Sequence, residues 1–414
     1  MLAFQHGFCS ASPGHRIDSM TAGIYLHIPF CKSRCSYCDF ATDVYRDSAA
    51  VERYVAALCK EIRRGGNPSS SEGAQRGISS NSHTLSTGRV SAFTSDTIYF
   101  GGGTPSLLSP AQVESVLSAV HDIFAVHASE EITMEMNPAT VTPETLRAYR
   151  SLGVNRASFG VQTYDDRALK LLARGHDAND ARMTFTMLRN AGFDNISFDL
   201  IAGLPGQTID DWSKNLDEAI AMQPEHLSLY LLEIHQGTPL AEQIRSGRQP
   251  TPDPELAAEM YEIMLDRLAA IGYKQYEISN FSKPGYESRH NSKYWRLDPV
   301  FGFGVSAHSF DGVQRYSNER DTAKYVNLIE STCSAEVMRE DIDLSSESAF
   351  LGLRMESGVN LGDYERRFGV NLMKKYNAEM IEMRDAGLVE TACGYLRLTR
   401  KGKLFSNEVF AIFV

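Results

Sequence analysis

Hydrophobic and polar residues follow two alternating rhythms along most of the chain. Apolar-rich runs of strand length stand at 24–28, 97–100, 131–136, 156–161, 195–201 and 226–231. Between them, apolar residues recur every three or four positions, the repeat of a helix with one buried face. Val51, Tyr54, Val55, Leu58 and Ile62 mark such a face over 49–64, and Val113, Val116, Leu117, Val120, Ile123 and Phe124 mark another. Further helical patterns cover 143–152, 177–191 and 210–221. Six strand–helix repeats predict an α/β fold: a parallel sheet with helical crossovers, curled into a barrel or part of one. Functional residues in such folds gather at the carboxyl ends of the strands.

The pattern also marks boundaries. Residues 1–21 read as a disordered extension, or as upstream sequence ahead of Met20. The barrel core is expected over 22–255, interrupted at 65–95 by a flexible insertion rich in Ser, Gly, Asn and Thr. A barrel-edge extension spans 256–340, with a helix over 252–271 and a strand near 276–281. From 341 to 414 the character changes to helices at 346–353, 361–368 and 372–386, followed by a two-stranded wing. That tail reads as a small helical, winged-helix-like domain.

Composition narrows the partners. The 414 residues carry a formal net charge of −11, which argues against nonspecific nucleic-acid binding, since that needs a basic surface. No run approaches the roughly 20 apolar residues of a membrane span, so only peripheral membrane contact is left open. Seven cysteines, three of them in one short motif, do not look like a secreted disulfide framework and suit a reducing cytoplasm.

The chemistry centres on IYLHIPFCKSRCSYCDF, where Cys31, Cys35 and Cys38 follow the first strand as C-x3-C-x2-C. One loop can wrap these thiolates around a metal centre. Two readings fit: zinc with His27 as fourth ligand, or a [4Fe-4S] cluster that leaves one iron for a non-protein ligand. Three unrelated free thiols would not need such spacing. At the second strand's end, Gly101-Gly-Gly-Thr104-Pro lets backbone approach a ligand closely. Glu135 in EMNP and Gln162 in SFGVQ end the third and fourth strands, and Arg174 lies in the helical LKLLARGH. Asp199 is an acid in an otherwise apolar strand, so it needs a polar partner such as a ribose.

The cysteine loop, with Tyr37 just before the third cysteine, resembles the radical SAM superfamily. That resemblance favours the [4Fe-4S] cluster, with S-adenosylmethionine chelating the open iron. The order GGGTP, EMNP, RASFGVQ, DLIAGLPGQT is similar to the HemN-like branch of oxygen-independent coproporphyrinogen dehydrogenases. It implies a partial (β/α)6 TIM-like barrel. It also implies S-adenosylmethionine contacts at Tyr25, Tyr37, Gly102, Gly103, Thr104, Glu135, Gln162, Arg174 and Asp199, with Cys31, Cys35 and Cys38 on the cluster.

Two features depart from the dehydrogenases. Their loops resemble C-x3-C-x2-C-x-C, whereas Phe40 stands at the fourth cysteine's place, and they carry a longer segment before the first strand. Cys38-Asp39-Phe40 and His290-Asn-Ser-Lys-Tyr294-Trp295 instead resemble the HemW branch of haem chaperones. That likeness implies haem bound near His290 and passed to haem-dependent respiratory proteins, with no catalytic residue of its own. Histidine is a common haem ligand. On a helix, His290 and Tyr294 would share a face, with Trp295 beside it to cover an apolar ring. His308 is the alternative ligand. Radical decarboxylation of coproporphyrinogen III is the competing activity. Gly302-x-Gly304-x-x-Ala307 mimics a dinucleotide fingerprint but opens no strand–turn–helix unit, and reads as a turn at the barrel edge.

Overall fold

In the computed structural model, which describes residues 21–45, 47–65 and 94–413, the alternating pattern becomes one curved sheet. Six parallel strands lie side by side in chain order: β1 Thr21–Ile28, β2 Thr94–Gly102, β3 Ala125–Met136, β4 Arg156–Gln162, β5 Ile196–Ala202 and β6 His226–Leu231. The crossover helices are α1 Ser48–Gly65, α2 Pro110–Ile123, α3 Pro143–Ser151, α4 Asp166–Leu171, α5 Ala178–Asn190 and α6 Ile209–Met222. Ser109, Thr142, Asp177 and Thr208 start four of them with capping boxes, which satisfy the first free N–H groups. The expected extension at 1–21 and insertion at 65–95 fall almost wholly outside the described residues.

After β6 come α7 Pro239–Arg245 and α8 Pro254–Ala270. The single strand expected near 276–281 is a hairpin, β7 Lys274–Glu277 with β8 Asn280–Ser282, and β8 pairs antiparallel with β6. The turn forms because Ser279 N donates to Glu277 Oε1 at 2.9 Å. Next comes α9 Arg289–Arg296, which carries the HNSKYW motif as a helix. The FGFGVSAHSF segment is more than a turn. It forms β9 Val300–Phe303, a seventh parallel strand against β1, and β10 His308–Phe310 returning antiparallel. A Cβ on Gly302 would lie 2.3 Å from the His308 carbonyl oxygen, so only glycine allows the two strands to approach. The sheet continues through β11 Gln314–Asn318, α10 Thr322–Thr332 and β12 Glu336–Asp341, giving twelve strands with β7 and β12 at its edges. The barrel is therefore open.

Period-two alternation sorts the six central strands. One face carries Ile24, Leu26, Ile98, Phe100, Ile132, Met134, Phe159, Phe198, Leu200 and Leu227, all buried. The opposite, concave face carries Tyr25, Thr97, Tyr99, Glu131, Thr133, Glu135, Arg156, Ser158, Ser197, Asp199, His226 and Ser228. The lumen is thus polar and aromatic, unlike a barrel filled with branched aliphatics.

A second compact unit takes in residues 295–297 and the chain from Asp343. It contains α11 Leu344–Arg354, α12 Leu361–Phe368, α13 Leu372–Lys375 and α14 Asn377–Asp385. The last two were expected as one helix; Tyr376, at φ −115° and ψ 38°, breaks it. A three-stranded antiparallel sheet joins β13 Val359–Asn360, β15 Tyr395–Leu398 and, on the other side, β14 Val389–Ala392.

In the larger unit, Glu61 of α1 ties three segments together. Its Oε2 accepts from Gly304 N at 2.8 Å and Tyr325 OH at 2.6 Å, and Oε1 from Asn318 Nδ2 at 2.6 Å. Burial pushes this carboxyl up to about 7, against the opposing pull of the three donors. A raised folded-state value means that the protonated form is the one folding favours. Its stabilisation is complete below the ordinary carboxyl value and is lost as pH rises through about 7. Glu61→Gln, a neutral mimic, is expected to flatten the fall in apoprotein stability over that window, measured by urea unfolding at a series of pH values. Glu61→Ala is expected to cost about 2–4 kcal/mol, because it strands three donors.

Candidate functional site

The cysteine loop is fixed at base and tip. After β1 the chain turns at Pro29, and Phe30–Cys31 pairs in parallel with Asp43–Val44. Asp43 N donates to Pro29 O at 2.8 Å and Tyr45 N to Cys31 O at 2.7 Å. At the tip, Ser36 N donates to Leu172 O at 2.9 Å, and Ser36 O accepts from Leu240 N at 2.8 Å. Tyr37 packs on the apolar cluster of Leu172, Ile201, Leu204 and Leu240. Cys31 is buried, Cys35 and Cys38 are half-buried, and all three are free thiols. Burial pushes Cys31 up to about 11 and raises Cys38 as well, so a metal centre would take the place of their protons.

His27 is not turned toward the thiols. Its Nε2 lies 2.9 Å from Ala41 O and its Nδ1 lies 3.1 Å from Tyr25 OH. Among the described residues, no three His, Cys, Asp or Glu side chains gather as a single metal ion requires. Zinc holds all its ligands at about 2.0–2.3 Å. An iron–sulfur cluster instead spreads its thiolates over several irons, which this donor set fits.

The glycine run locks onto the loop. Gly103 N donates to Ile28 O at 2.7 Å, and Thr104 N to Phe30 O at 2.8 Å. A Cβ on Gly103 would sit 2.7–2.8 Å from the backbone of Pro29 and Phe30. Gly102 takes φ +108°, and its N–H donates to Glu135 Oε2 at 3.1 Å, while Tyr99 OH donates to Glu135 Oε1 at 2.8 Å. Burial, with Asp199 nearby, pushes Glu135 up to about 7. Gln162 owes its position to a bulge: the β4–β5 register shifts between Gly160 and Gln162, and Gln162 adopts φ +66°. Asp199 accepts from Ser158 Oγ at 3.4 Å, and burial raises its carboxyl above the usual range.

Arg174 lies beyond the helix in which it was expected. α4 ends at Leu171, and Ala173 at φ +54° turns the chain inward. The guanidinium then reaches Cys35 Sγ at 3.4 Å, Asn137 Oδ1 at 2.8 Å and Gly160 O at 2.7 Å. Its buried Nε has no partner, which leaves a donor for a bound group. Asn137 escaped the sequence reading. It bridges Arg174 to Thr104, whose Oγ1 accepts from Asn137 Nδ2 at 2.9 Å and lies 3.6 Å from Cys31 Sγ. Its place two residues after Glu135 in EMNP was the available signal.

The HNSKYW helix lies at the other end of the strands. Glu131 near the foot of β3 caps α9, accepting from the Arg289 and His290 N–H groups at 3.1 Å each. Asp96 pairs with Arg289 at 3.1 Å and Lys293 at 2.8 Å. His290 is 1% exposed, with Nδ1 2.9 Å from Thr97 Oγ1 and Nε2 3.3 Å from Tyr294 OH. Burial lowers it to about 3, so the ring is neutral. It stacks on Tyr99 at 5.0 Å between centroids, and Tyr99 stacks on Tyr25 at 6.1 Å. His290 therefore sits beneath the Tyr25–Tyr99–Glu135 group rather than beside the cysteines. Trp295 falls in the second unit, where Arg354 lies 4.3 Å from its ring centroid. His308 is exposed.

An open parallel barrel with three cysteines after β1, a glycine run after β2 and inward acids on β3 and β5 defines a radical SAM protein. The model of the Radical SAM superfamily matches residues 25–219, and that of the HemN C-terminal domain matches 340–405. The chain belongs to the HemW family. It is 34% identical to "Heme chaperone HemW" of Bacillus subtilis over 94% of this chain and 98% of that protein. To HemW of Lactococcus lactis it is 33% identical over 94% and 96%. "Radical S-adenosyl methionine domain-containing protein 1, mitochondrial" of Bos taurus is 34% identical, covering 84% of this chain and 76% of its own. Among solved structures, coproporphyrinogen III oxidase (HemN) of Escherichia coli superposes with a TM-score of 0.80 over 95% of this chain and 90% of that one. At 22% identity, that likeness speaks to the fold.

Gly103→Ala is expected to force the glycine run away from the cysteine loop. Iron and sulfide bound per chain after anaerobic reconstitution should fall several-fold, whereas overpacking alone would cost only about 1–3 kcal/mol of stability. Unchanged iron content would show that the loop holds its metal without this clamp.

Proposed function

We propose that the protein is a cytoplasmic haem chaperone that carries a [4Fe-4S] cluster and S-adenosylmethionine and hands haem to haem-dependent respiratory proteins. The observation that carries this reading is the match to the Bacillus subtilis heme chaperone over 94% of this chain and 98% of that protein. Phe40, 67% exposed at the place of the dehydrogenases' fourth cysteine, supports it over coproporphyrinogen decarboxylation. No described helix is long and apolar enough to cross a membrane, so membrane-bound clients would be met peripherally.

Cys31, Cys35 and Cys38 would hold the cluster. Tyr25, Tyr37, Gly102, Gly103, Thr104, Glu135, Gln162, Arg174 and Asp199 would hold S-adenosylmethionine. When bound, the pair supplies one-electron chemistry at the sulfonium. The protein's own part is to fix the thiolates through Thr104 and Arg174, and to present Glu135 and Asp199 to an ammonium and a ribose. Haem contact belongs to α9. Both His290 nitrogens are engaged, Nδ1 by Thr97 and Nε2 by Tyr294, so ligation of iron through either one requires that its own contact release while the other can hold.

The test is an anaerobic haem titration of cluster-reconstituted protein, followed at the Soret band, with His290→Ala and His308→Ala alongside. Stoichiometric binding that weakens or changes ligation in His290→Ala is expected. Loss only in His308→Ala moves the ligand to β10. No specific binding, together with vinyl porphyrin and 5′-deoxyadenosine formed from coproporphyrinogen III, establishes the dehydrogenase instead.

A further inference from the structure

One charge in the lumen has no role in the site described above. Arg156 opens β4 and is 1% exposed, and its Nε and Nη1 have no hydrogen-bond partner. A guanidinium does not give up its proton, so a full positive charge sits inside the barrel. Such a charge is costly unless opposite charge faces it. In register, Arg156 lies opposite Thr133, two residues below Glu135 on β3. On β4 it lies two residues below Ser158, the partner of Asp199. Two residues of strand span about 6.6 Å, so Glu135 stands one layer above the guanidinium, and Asp199, opposite Gly160, stands one layer further.

Among the other lumen groups Arg174 also opposes the burial of Asp199, whereas Arg156 bears on both acids. His226 and His290 are held neutral by burial, His290 at about 3 and His226 well below its ordinary value. Arg174 is committed to Cys35, Asn137 and Gly160. Besides Arg156, Glu135 faces Tyr25 on β1, Tyr99 and the Gly102 N–H on β2, Asp199 on β5 and Tyr294 on α9. Asp199 faces Arg174, Ser158, Ser228, Tyr37 and Tyr230. The tyrosines are neutral, since burial raises each of them. Asp199 thus raises Glu135 further, and Arg156 opposes the burial of both acids.

We propose that Arg156 is a positioning residue whose fixed charge offsets part of the cost of ionising Glu135 and Asp199 inside the barrel, so that near neutrality the lumen presents more carboxylate to the cationic and hydroxyl groups of S-adenosylmethionine. This rests on the cofactor reading above. It predicts what happens when the charge is removed: the acids take up a proton at higher pH, and the ligand must compete with it.

The experiment measures S-adenosylmethionine affinity against pH by anaerobic equilibrium dialysis, using cluster-reconstituted full-length chain. Wild type is expected to bind more weakly as pH falls through about 7, where Glu135 takes up its proton. Arg156→Met should move that midpoint up by about one unit, which makes binding about fivefold weaker at about pH 7, about tenfold weaker well below it, and restores it in alkali. Arg156→Lys should keep the wild-type midpoint. An unmoved midpoint in a folded Arg156→Met protein overturns the proposal, even if binding is weaker at every pH. If Arg156→Met does not fold, the infrared spectrum of wild type in mild alkali decides. The proposal expects no neutral-acid C=O stretch that Glu135→Gln or Asp199→Asn would remove, and finding one overturns it. Wild type that binds no S-adenosylmethionine at any pH overturns the cofactor reading itself, and this inference with it.

Discussion

A polar face turned into the inside of a barrel is the constraint on which the larger unit depends. Buried polar groups must find partners, and those of the six central strands can find them only across the lumen. Ser197 finds His226, Thr97 finds His290, Tyr99 finds Glu135 and Ser158 finds Asp199. The apolar face meanwhile packs under the crossover helices. The same alternation that builds the core thus assembles a column of titratable groups. Neither could be rearranged without the other, because a one-residue slip would exchange the two faces.

The end of the barrel that carries the cysteine loop is assembled from segments far apart in the chain, and small features bring them together. Gly103 admits the backbone of the cysteine loop, a bulge re-aims Gln162, and a left-handed Ala173 swings Arg174 out of its helix. Asn137 then joins β3, the glycine run and Arg174. These contacts use hydrogen bonds within one small volume. Such a cradle holds its shape before ligands arrive, which reduces the ordering cost of binding.

The six repeats were legible because strand and helix periodicities are local. The cysteine spacing and the glycine run were legible because each is one continuous segment. Strand β9 was not, since its pairing with β1 joins residues nearly 280 positions apart and Gly302 reads as a turn residue in isolation. Arg174 looked helical because LKLLAR has helical composition, and the left-handed φ at Ala173 has no side-chain signature. His290 stood out by its motif. That its ring would be sealed beneath Tyr99, with Glu131 capping its helix, depends on contacts across about 160 residues that no spacing rule conveys.

The stack of Tyr25, Tyr99 and His290 makes the two mouths of the barrel mechanically dependent. Tyr99 is bonded upward to Glu135 and stacked downward on His290 of the motif helix. A change that enlarges or shrinks the ring at Tyr99 therefore shifts the geometry at both mouths at once.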